Sequence, residues 1–137
     1  MSLFYADASA LVKLLRDEPE SGALRTFLVD ADLLSCELAL AEVPRAVRRA
    51  ASHDPELPLD LLLARAGELL DAVALLPVDT ALLVAAGRLS EPALRALDAV
   101  HVAAAITASP LDAFVTYDER QAAAARLAGL RTLSPGW

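Results

Sequence analysis

The amino-acid sequence predicts an α/β domain built on a mostly parallel sheet. Short apolar runs of strand type alternate with longer helical patterns, which is the arrangement of a sheet covered by crossover helices. Hydrophobic residues make up 56% of the 137 residues, above the roughly 45–50% of an average domain, and much of the surplus is alanine and leucine, which favour helices. No repeat, low-complexity tract or linker interrupts the alternation. We therefore expect a single domain over residues 1–137.

The first half of the chain predicts two strands and four helices. A β-type run at 3–6 ends at Asp7 and is followed by helices at 8–15 and 20–29, with Pro19 near the start of the second. A strand at 32–36 precedes a helical pattern at 37–51, in which Pro44 is expected to cause a kink or to free one carbonyl. A polar loop at 53–58 leads to an amphipathic helix at 59–73.

The second half predicts three strands and three helices. A strand-like run at 74–78 is followed by Asp79 or Thr80, either of which can cap a helix that ends near 89. Residues 90–92 break the chain before a helix at 97–108. The last predicted elements are a strand at 113–116, a helix at 119–128 closed by Gly129, and a short strand at 131–133.

Cysteine use and hydropathy indicate a cytoplasmic protein. The only cysteine, Cys36, excludes an intramolecular disulfide and any multi-cysteine metal site, and its place in an apolar run predicts a buried packing residue. The first residues lack the basic and apolar regions of a signal peptide. The long apolar stretch at 61–86 contains charges and Pro77, so it does not predict a spanning helix of about 20 apolar residues or a membrane partner.

The net charge of −7 argues at first against a nucleic-acid partner, because affinity for a polyanion comes mainly from lysine and arginine. Bound divalent cations would cancel part of this charge and reverse the local electrostatics. The sign of the net charge therefore does not decide whether the partner is a nucleic acid.

Two acidic residues follow predicted strands at the edge where parallel sheets bind ligands. Asp7 comes directly after the first strand, and Asp118 comes two residues after Thr116. Both carboxylates would enter one crevice if these strands are neighbours. Two like charges about 4 Å apart repel by roughly 4 kcal/mol at an effective dielectric near 20. Acidic clusters therefore usually hold protons or hard cations such as Mg²⁺ and Mn²⁺.

Position alone leaves simpler interpretations open, since the chain has 19 acidic residues. Asp98 could cap a helix that starts near residue 99, and Asp118 could cap the helix that starts at 119. Glu42 could pair with Arg45 or Arg49 at helical spacing.

Four motifs in order resemble those of PIN-domain proteins, specifically the VapC-type toxins of bacterial toxin–antitoxin pairs. They are Tyr-Ala-Asp-Ala-Ser-Ala-Leu-Val-Lys at 5–13, residues 35–49 around Glu42, Leu-Arg-Ala-Leu-Asp-Ala-Val-His at 94–101, and Phe-Val-Thr-Tyr-Asp-Glu-Arg at 114–120. The ending at 129–136 also fits. Each motif is weak alone, but the ordered set spans nearly the whole chain.

The resemblance implies a three-layer α/β/α domain with a five-stranded, mostly parallel sheet. It also implies RNA cleavage that depends on Mg²⁺ or Mn²⁺, inhibition by a cognate VapB-like antitoxin protein, and a homodimer. The implied site residues are the core metal ligands Asp7, Glu42 and Asp98, a fourth acidic position at Asp118, and the hydrogen-bonding Ser9 and Thr116.

The remaining candidates are basic residues and histidines. Arg45, Arg48 and Arg49 form the densest basic patch, which either guides an RNA backbone or is a solvated helix face. His101 follows Asp98 by three residues on one helix. We interpret it as a packing histidine with one ring nitrogen satisfied, with metal ligation as the alternative.

Four other classes of protein compete with this interpretation. A non-catalytic PIN-like interaction module would need no metal, and a DNA nuclease could use the same four carboxylates. Phosphoryl-transfer enzymes of the haloacid dehalogenase type and receiver domains also place an aspartate after their first strand. The former need a second aspartate where this chain has Ser9, and the latter need an acidic pair that is missing here.

Overall fold

Five strands and seven helices make up the computed structural model of the chain, which describes residues 2–137. In chain order they are β1 Ser2–Ala6, α1 Ala8–Leu15, α2 Ser21–Leu28, β2 Ala31–Cys36, α3 Ala39–His53, α4 Leu59–Ala72, β3 Ala74–Leu76, α5 Thr80–Gly87, α6 Ala96–Ala108, β4 Ala113–Val115, α7 Glu119–Leu127 and β5 Thr132–Leu133. The predicted alternation of strands and helices is confirmed.

The sheet has the strand order β3-β2-β1-β4-β5, and every pair of neighbouring strands is parallel. Strand β1 is central: Phe4 lies opposite Leu33 of β2 on one side and Ala113 of β4 on the other. The chain first moves outward from β1 to β2 and β3, and then returns to β4 on the other side of β1. This reversal creates a crevice between β1 and β4 at their carboxyl ends.

Alternate side chains of the sheet enter two separate hydrophobic cores, as the two-residue period of a strand requires. Phe4 and Ala6 pack with buried residues of α1 to α4. Tyr5 and Phe114 point to the opposite face and pack with buried residues of α5 to α7. The protein therefore has three layers, α/β/α, as the sequence predicts.

Most element boundaries lie within two residues of the predicted ones, and the differences have local causes. Helix α3 continues through Pro44 to His53, because proline removes only one hydrogen bond while Val43 and Val47 stay buried on either side. Helix α6 begins at Ala96, so Asp98 lies inside its first turn and does not precede it. Across residues 2–137, no helix has the length and apolar character needed to cross a bilayer.

Candidate active site

The carboxyl ends of β1 and β4 lie side by side. Ala6 pairs with Val115 in the sheet register, and the Asp7 amide donates to the Val115 carbonyl at 3.3 Å. Asp7 and Thr116 therefore leave the sheet together at the same edge, because both directly follow these paired residues. The condition for the predicted crevice, that the two strands are neighbours, is met.

Asp7 is buried and held by hydrogen bonds to both carboxylate oxygens. Its Oδ1 accepts from the Ser9 hydroxyl at 2.6 Å and from the Ala10 amide at 3.0 Å, which caps helix α1. Its Oδ2 accepts from the Thr116 hydroxyl. Burial raises the pKa of Asp7, and the hydrogen bonds from Ser9 and Thr116 oppose that rise. The side chain is thus fixed in one orientation.

The two hydroxyls that bind Asp7 also connect the loops that follow β1 and β4. Ser9 Oγ accepts from the Tyr117 amide at 3.0 Å, and Thr116 Oγ1 accepts from the Asp118 amide at 3.0 Å. The predicted supporting residues therefore belong to one network, in which Thr116 joins Asp7 to the backbone of Asp118.

Asp118 caps helix α7, as the simpler interpretation proposed. Its Oδ1 accepts from the amides of Arg120 at 2.9 Å and Gln121 at 3.1 Å. Within residues 2–137, no hydrogen bond reaches its Oδ2. The Gln121 side chain donates to the Asp98 carbonyl at 3.2 Å, which ties α7 to α6. Capping therefore occupies one carboxylate oxygen of Asp118 and leaves the other for a ligand.

Glu42 binds a histidine instead of an arginine. Its Oε1 lies 2.5 Å from His101 Nε2, and the Glu42 side chain is 22% exposed while that of His101 is 1% exposed. The open alternative of an ion pair with Arg45 or Arg49 does not occur, because none of the ion pairs within residues 2–137 includes either arginine.

Both ring nitrogens of His101 have partners, whereas the sequence interpretation expected one. Nδ1 lies 2.8 Å from the Tyr5 hydroxyl and 3.7 Å from the Cys36 sulfur. Burial alone would lower the pKa of His101, but its contacts with Cys36 and Glu42 outweigh burial and raise the pKa to about 10. Cys36 is buried, as predicted, and contacts this ring.

The carboxyl of Asp98 is partly buried and is affected by the charges of two other acids, Asp118 and Glu42. Burial raises its pKa, and the negative charges of Asp118 and Glu42 raise it further, while His101 partly offsets them. Helix α6 leads into β4 of the parallel sheet, so it runs from the carboxyl edge of the sheet back to the amino edge. Its first turn, with Asp98, therefore lies at the same edge as Asp7.

The charge of this acidic edge is not balanced by lysine or arginine ion pairs. Within residues 2–137, the only ion pair that involves one of the four predicted acids is that of Glu42 with His101. The structure thus leaves several oxygens of these carboxylates unpaired, and the charges of Asp118 and Glu42 act on Asp98.

These carboxylates fit a hard cation that keeps part of its water shell. Among residues 2–137, no group of three or more His, Cys, Asp or Glu side chains is arranged to hold an ion by itself. Mg²⁺ needs fewer protein ligands than that, since it usually binds one or two carboxylates and retains several waters. The unpaired oxygens of Asp98, Asp118 and Glu42 suit this mode of binding.

A cleft beside Glu42 presents two of the three predicted arginines. Its volume is about 410 Å³, and Arg45, Arg49 and Leu97 line it with Glu42. A second cleft of about 400 Å³ shares Arg49 and continues to Arg16. Two further lining residues, Ala46 and Ala8, widen the first cleft, while Arg48 lines neither cleft, because it lies on another side of α3.

Sequence reasoning gave no role to Tyr5 or Arg16. Tyr5 belongs to the opening motif, but its hydroxyl reaches His101 only through a contact 96 residues apart in sequence. Strand alternation could have placed Tyr5 on the face opposite Phe4, whereas its partner could not be identified from spacing.

The fold and this edge define a class, an α/β/α domain with acidic residues after the carboxyl ends of its central strands. The family model of the PIN domain matches residues 4–127. The chain is 37% identical to Ribonuclease VapC47 and 39% identical to Ribonuclease VapC35, both of Mycobacterium tuberculosis, with 98% of each sequence covered. It is 38% identical to Ribonuclease VapC46 of the same organism, over 98% of this chain and 99% of that protein.

The crystal structure of PAE2754 from Pyrobaculum aerophilum has the same fold, with a TM-score of 0.68, 20% identity, and coverage of 96% of this chain and 83% of that one. The chain belongs to the PIN-domain family, and its curated relatives place it in the VapC type.

Proposed function

We propose that this protein is a divalent-metal-dependent endoribonuclease that acts as the toxin of a toxin–antitoxin pair. The proposed metal-binding and catalytic residues are Asp7, Glu42, Asp98 and Asp118, and Mg²⁺ or Mn²⁺ is the proposed cofactor. The activity is proposed from the names of relatives at 37–39% identity, all of which are called ribonucleases.

The concentration of negative charge around Asp98 is the observation that supports the metal proposal. The pKa of this carboxyl is raised by burial and then by the charges of Asp118 and Glu42. Like charges held together in this way weaken the fold unless a proton or a cation binds between them. A structural ion-pair network would instead interleave arginine or lysine, and none pairs with these acids in residues 2–137.

The chain's own side chains would bind and orient the reacting groups. A divalent ion bound here would supply an activated water and offset the charge of the phosphate. Asp7 is fixed by three hydrogen bonds, so it would contribute a preorganised oxygen at the base of the site. Asp98 and Asp118 would offer their unpaired oxygens from the rim.

Arg45 and Arg49 support RNA as the substrate, because they present positive charge in the cleft next to Glu42. In a chain with a net charge of −7, exposed arginines without acidic partners would give a local path for a phosphate backbone. Ser9 and Thr116 would keep the acidic residues in place, since both bind Asp7.

The proposed partners are a VapB-like antitoxin protein and a second copy of this chain. The VapC type of the relatives supports the antitoxin, and the surplus of apolar residues supports self-association. A cytoplasmic location is proposed together with them, since RNA is the substrate.

A cleavage assay tests the activity. Purified protein should cut single-stranded RNA in the presence of Mg²⁺ or Mn²⁺ and lose that activity in EDTA. Asp7→Asn should abolish cleavage while circular dichroism shows an unchanged fold. Full residual activity of Asp7→Asn would refute the proposed site.

The same assay separates the alternatives. Cleavage of a DNA of the same sequence at an equal rate would indicate a nuclease that does not recognise the 2′-hydroxyl. A protein that binds no metal and cleaves neither nucleic acid would be a non-catalytic interaction module.

A further inference from the structure

We propose that His101 is a positioning residue for the acidic site: its Nε2–H holds the Glu42 carboxylate in place, while Tyr5 and Cys36 hold the imidazole from the other side. This inference rests on the proposed function, since it assigns Glu42 to metal binding. It adds three residues to the site that neither the motifs nor the relatives assign.

Two consecutive hydrogen bonds connect the sheet to the site. The Tyr5 hydroxyl lies 2.8 Å from Nδ1 of His101, and Nε2 on the far side of the ring lies 2.5 Å from Glu42 Oε1. A carboxylate only accepts hydrogen bonds, so Nε2 carries the proton in either charge state of the ring. Tyr5 then donates to Nδ1 of the neutral ring or accepts from Nδ1–H of the charged one.

This series of hydrogen bonds is rigid because the side chains of Tyr5 and His101 are fully packed. Tyr5 is 0% exposed and His101 1% exposed. The Tyr5 ring stacks on Phe114 with a centroid separation of 5.2 Å and meets His101 edge-on at 5.8 Å. Glu42 extends from α3 and is partly exposed, so without this contact it would lose the orientation that the buried ring imposes on it.

Packing alone gives no reason for an imidazole at this position. His101 lies on α6 among Val100, Val102 and Ala103, all of which are buried. Burying a polar ring costs free energy that an apolar side chain of similar volume would avoid. A polar group in this position is expected where it orients a metal-binding side chain by a hydrogen bond. Loss of such a group typically weakens metal binding about 10–100-fold.

Isothermal titration of the wild-type protein with Mn²⁺ and then of four variants tests the proposal. His101→Leu should weaken Mn²⁺ binding about 10–100-fold. His101→Gln should recover part of that loss, because its amide can still donate to Glu42. Tyr5→Phe should give an intermediate loss, since it keeps the ring and removes only the hydroxyl that fixes Nδ1. Leu24→Ala, in the other core, is the matched control, with lower thermal stability and unchanged Mn²⁺ affinity.

The double variant Tyr5→Phe with His101→Leu separates positioning from structure. It removes both members of the buried Tyr5–His101 hydrogen bond, whereas His101→Leu alone leaves the Tyr5 hydroxyl without its ring partner. We expect its melting temperature in EDTA to exceed that of His101→Leu, while its Mn²⁺ affinity stays as low as in His101→Leu. A purely structural role predicts instead that the Mn²⁺ affinity recovers together with the melting temperature.

Proton NMR gives a readout that is independent of metal and of activity. The wild type in EDTA should show a downfield Nε2–H resonance from the short contact with Glu42. That resonance should be absent in His101→Gln and should weaken in Tyr5→Phe because the ring is then held less firmly.

Two results would overturn the proposal in distinguishable ways. If the wild type binds Mn²⁺ and cleaves RNA but Tyr5→Phe, His101→Gln and the double variant bind Mn²⁺ equally well, His101 does not position the site and the proposed function stands. If the wild type neither binds Mn²⁺ nor cleaves RNA, the proposed function is wrong and this inference fails with it. Should the double variant not fold, the two conservative single variants decide the question.

Discussion

Three of the four carboxylates are held by different local arrangements. Asp7 accepts hydrogen bonds from two hydroxyls and a helix amide, Asp118 caps a helix, and Glu42 contacts a buried imidazole. Asp98 has no hydrogen-bond donor to its carboxylate within residues 2–137, although it is half-buried. At the scale of single residues, Asp98 is therefore the carboxylate with the least compensation for its charge.

Replacing Asp98 with asparagine should stabilise the metal-free protein at neutral pH. The pKa of Asp98 is raised above its ordinary value of 3.8, first by burial. Its contribution to stability is therefore fully present below about pH 4 and is lost as the pH rises through the raised pKa. In EDTA the melting temperature of Asp98→Asn should exceed that of the wild type by about 2 °C near neutrality, with the difference closing toward acid.

The exposed Asp32 provides the matched control for this measurement. Asp32→Asn should follow the wild-type melting temperature at every pH, because this carboxylate is exposed and belongs to no ion pair within residues 2–137. A melting temperature of Asp98→Asn below that of the wild type at neutral pH would contradict the expected repulsion.

Removing the Ser9 hydroxyl should change both stability and pH dependence. Ser9→Ala loses the donor to Asp7 and the acceptor for the Tyr117 amide. We expect a loss of about 1–2 kcal/mol in the free energy of unfolding, measured with urea. The pKa of Asp7 should rise further, because a hydrogen bond that lowers it is removed. The acidic limb of the cleavage-rate profile should then move to higher pH, whereas the exposed Ser90→Ala should change neither quantity.

At the scale of elements, helix α3 presents different arginines to different surroundings. Arg45 and Arg49 line the cleft beside Glu42, while Arg48 lines neither cleft of this region. At about 100° of rotation per residue, Arg49 lies about 40° and Glu42 about 60° to one side of Arg45. Arg48 lies about 60° to the other side, so the helical period divides the basic patch. Arg48 becomes a natural control for its two neighbours.

The salt dependence of RNA affinity should reveal this division. In an Asp7→Asn background that blocks cleavage, replacing Arg45 and Arg49 with alanine should lower the slope of log affinity against log salt by about 1.4, or about 0.7 for each lost contact to single-stranded phosphate. Arg48→Ala should leave the slope unchanged in the same fluorescence anisotropy titration. Equal slopes for all three proteins would remove the arginine path from the proposal.

The end of helix α7 depends on one glycine. The Gly129 amide donates to the Arg126 carbonyl and the Leu130 amide to the Ala125 carbonyl, which together form a Schellman motif. Gly129 has a φ of +88°, a conformation that costs an L-residue about 1–2 kcal/mol.

Gly129→Ala should lower the free energy of unfolding in urea by about 1 kcal/mol and leave the Mn²⁺ affinity unchanged. Gly67→Ala should have the opposite sign, with a gain of about 0.5–1 kcal/mol, because Gly67 lies inside helix α4 and an added Cβ meets nothing within 4 Å. A loss at Gly67 as large as the loss at Gly129 would contradict this explanation.

At the scale of the whole molecule, metal binding should stabilise the fold. An ion that binds only the native state at 100 times its dissociation constant adds about 2.7 kcal/mol. Mn²⁺ should therefore raise the melting temperature of the wild type, and the rise should be larger at neutral pH than in acid, where the carboxyls are protonated. Asp98→Asn should show a smaller rise, and no rise in the wild type would favour the non-catalytic module.

Exposed apolar side chains lie on helix α5 and beside the Glu42 cleft. Leu83 and Val84 of α5 are about half exposed, as is Leu97 beside the Glu42 cleft. Exposed apolar residues of this size are typical of interfaces. The homodimer and the antitoxin remain predictions, which light scattering of the purified protein and of the complex would test.

Local sequence was enough to predict the elements, because their determinants are local. Runs of three to five residues identified the strands, and Asp79 and Gly129 marked helix boundaries through their own backbone interactions. The adjacency of β1 and β4 was only a condition for the predicted crevice, because strand order depends on packing between distant segments, and the structure decided it.

The sequence by itself determined the class of fold, the order of the acidic motifs and the place of Asp7 and Asp118 after their strands. Only the tertiary structure decided which groups meet: Glu42 with His101 across 59 residues, Tyr5 with His101 across 96, and Arg45 and Arg49 in the cleft without Arg48. The reason is physical. Helix and strand periods are set by neighbouring residues, whereas a side-chain contact between distant segments depends on how three layers pack, and no spacing within one segment contains that information.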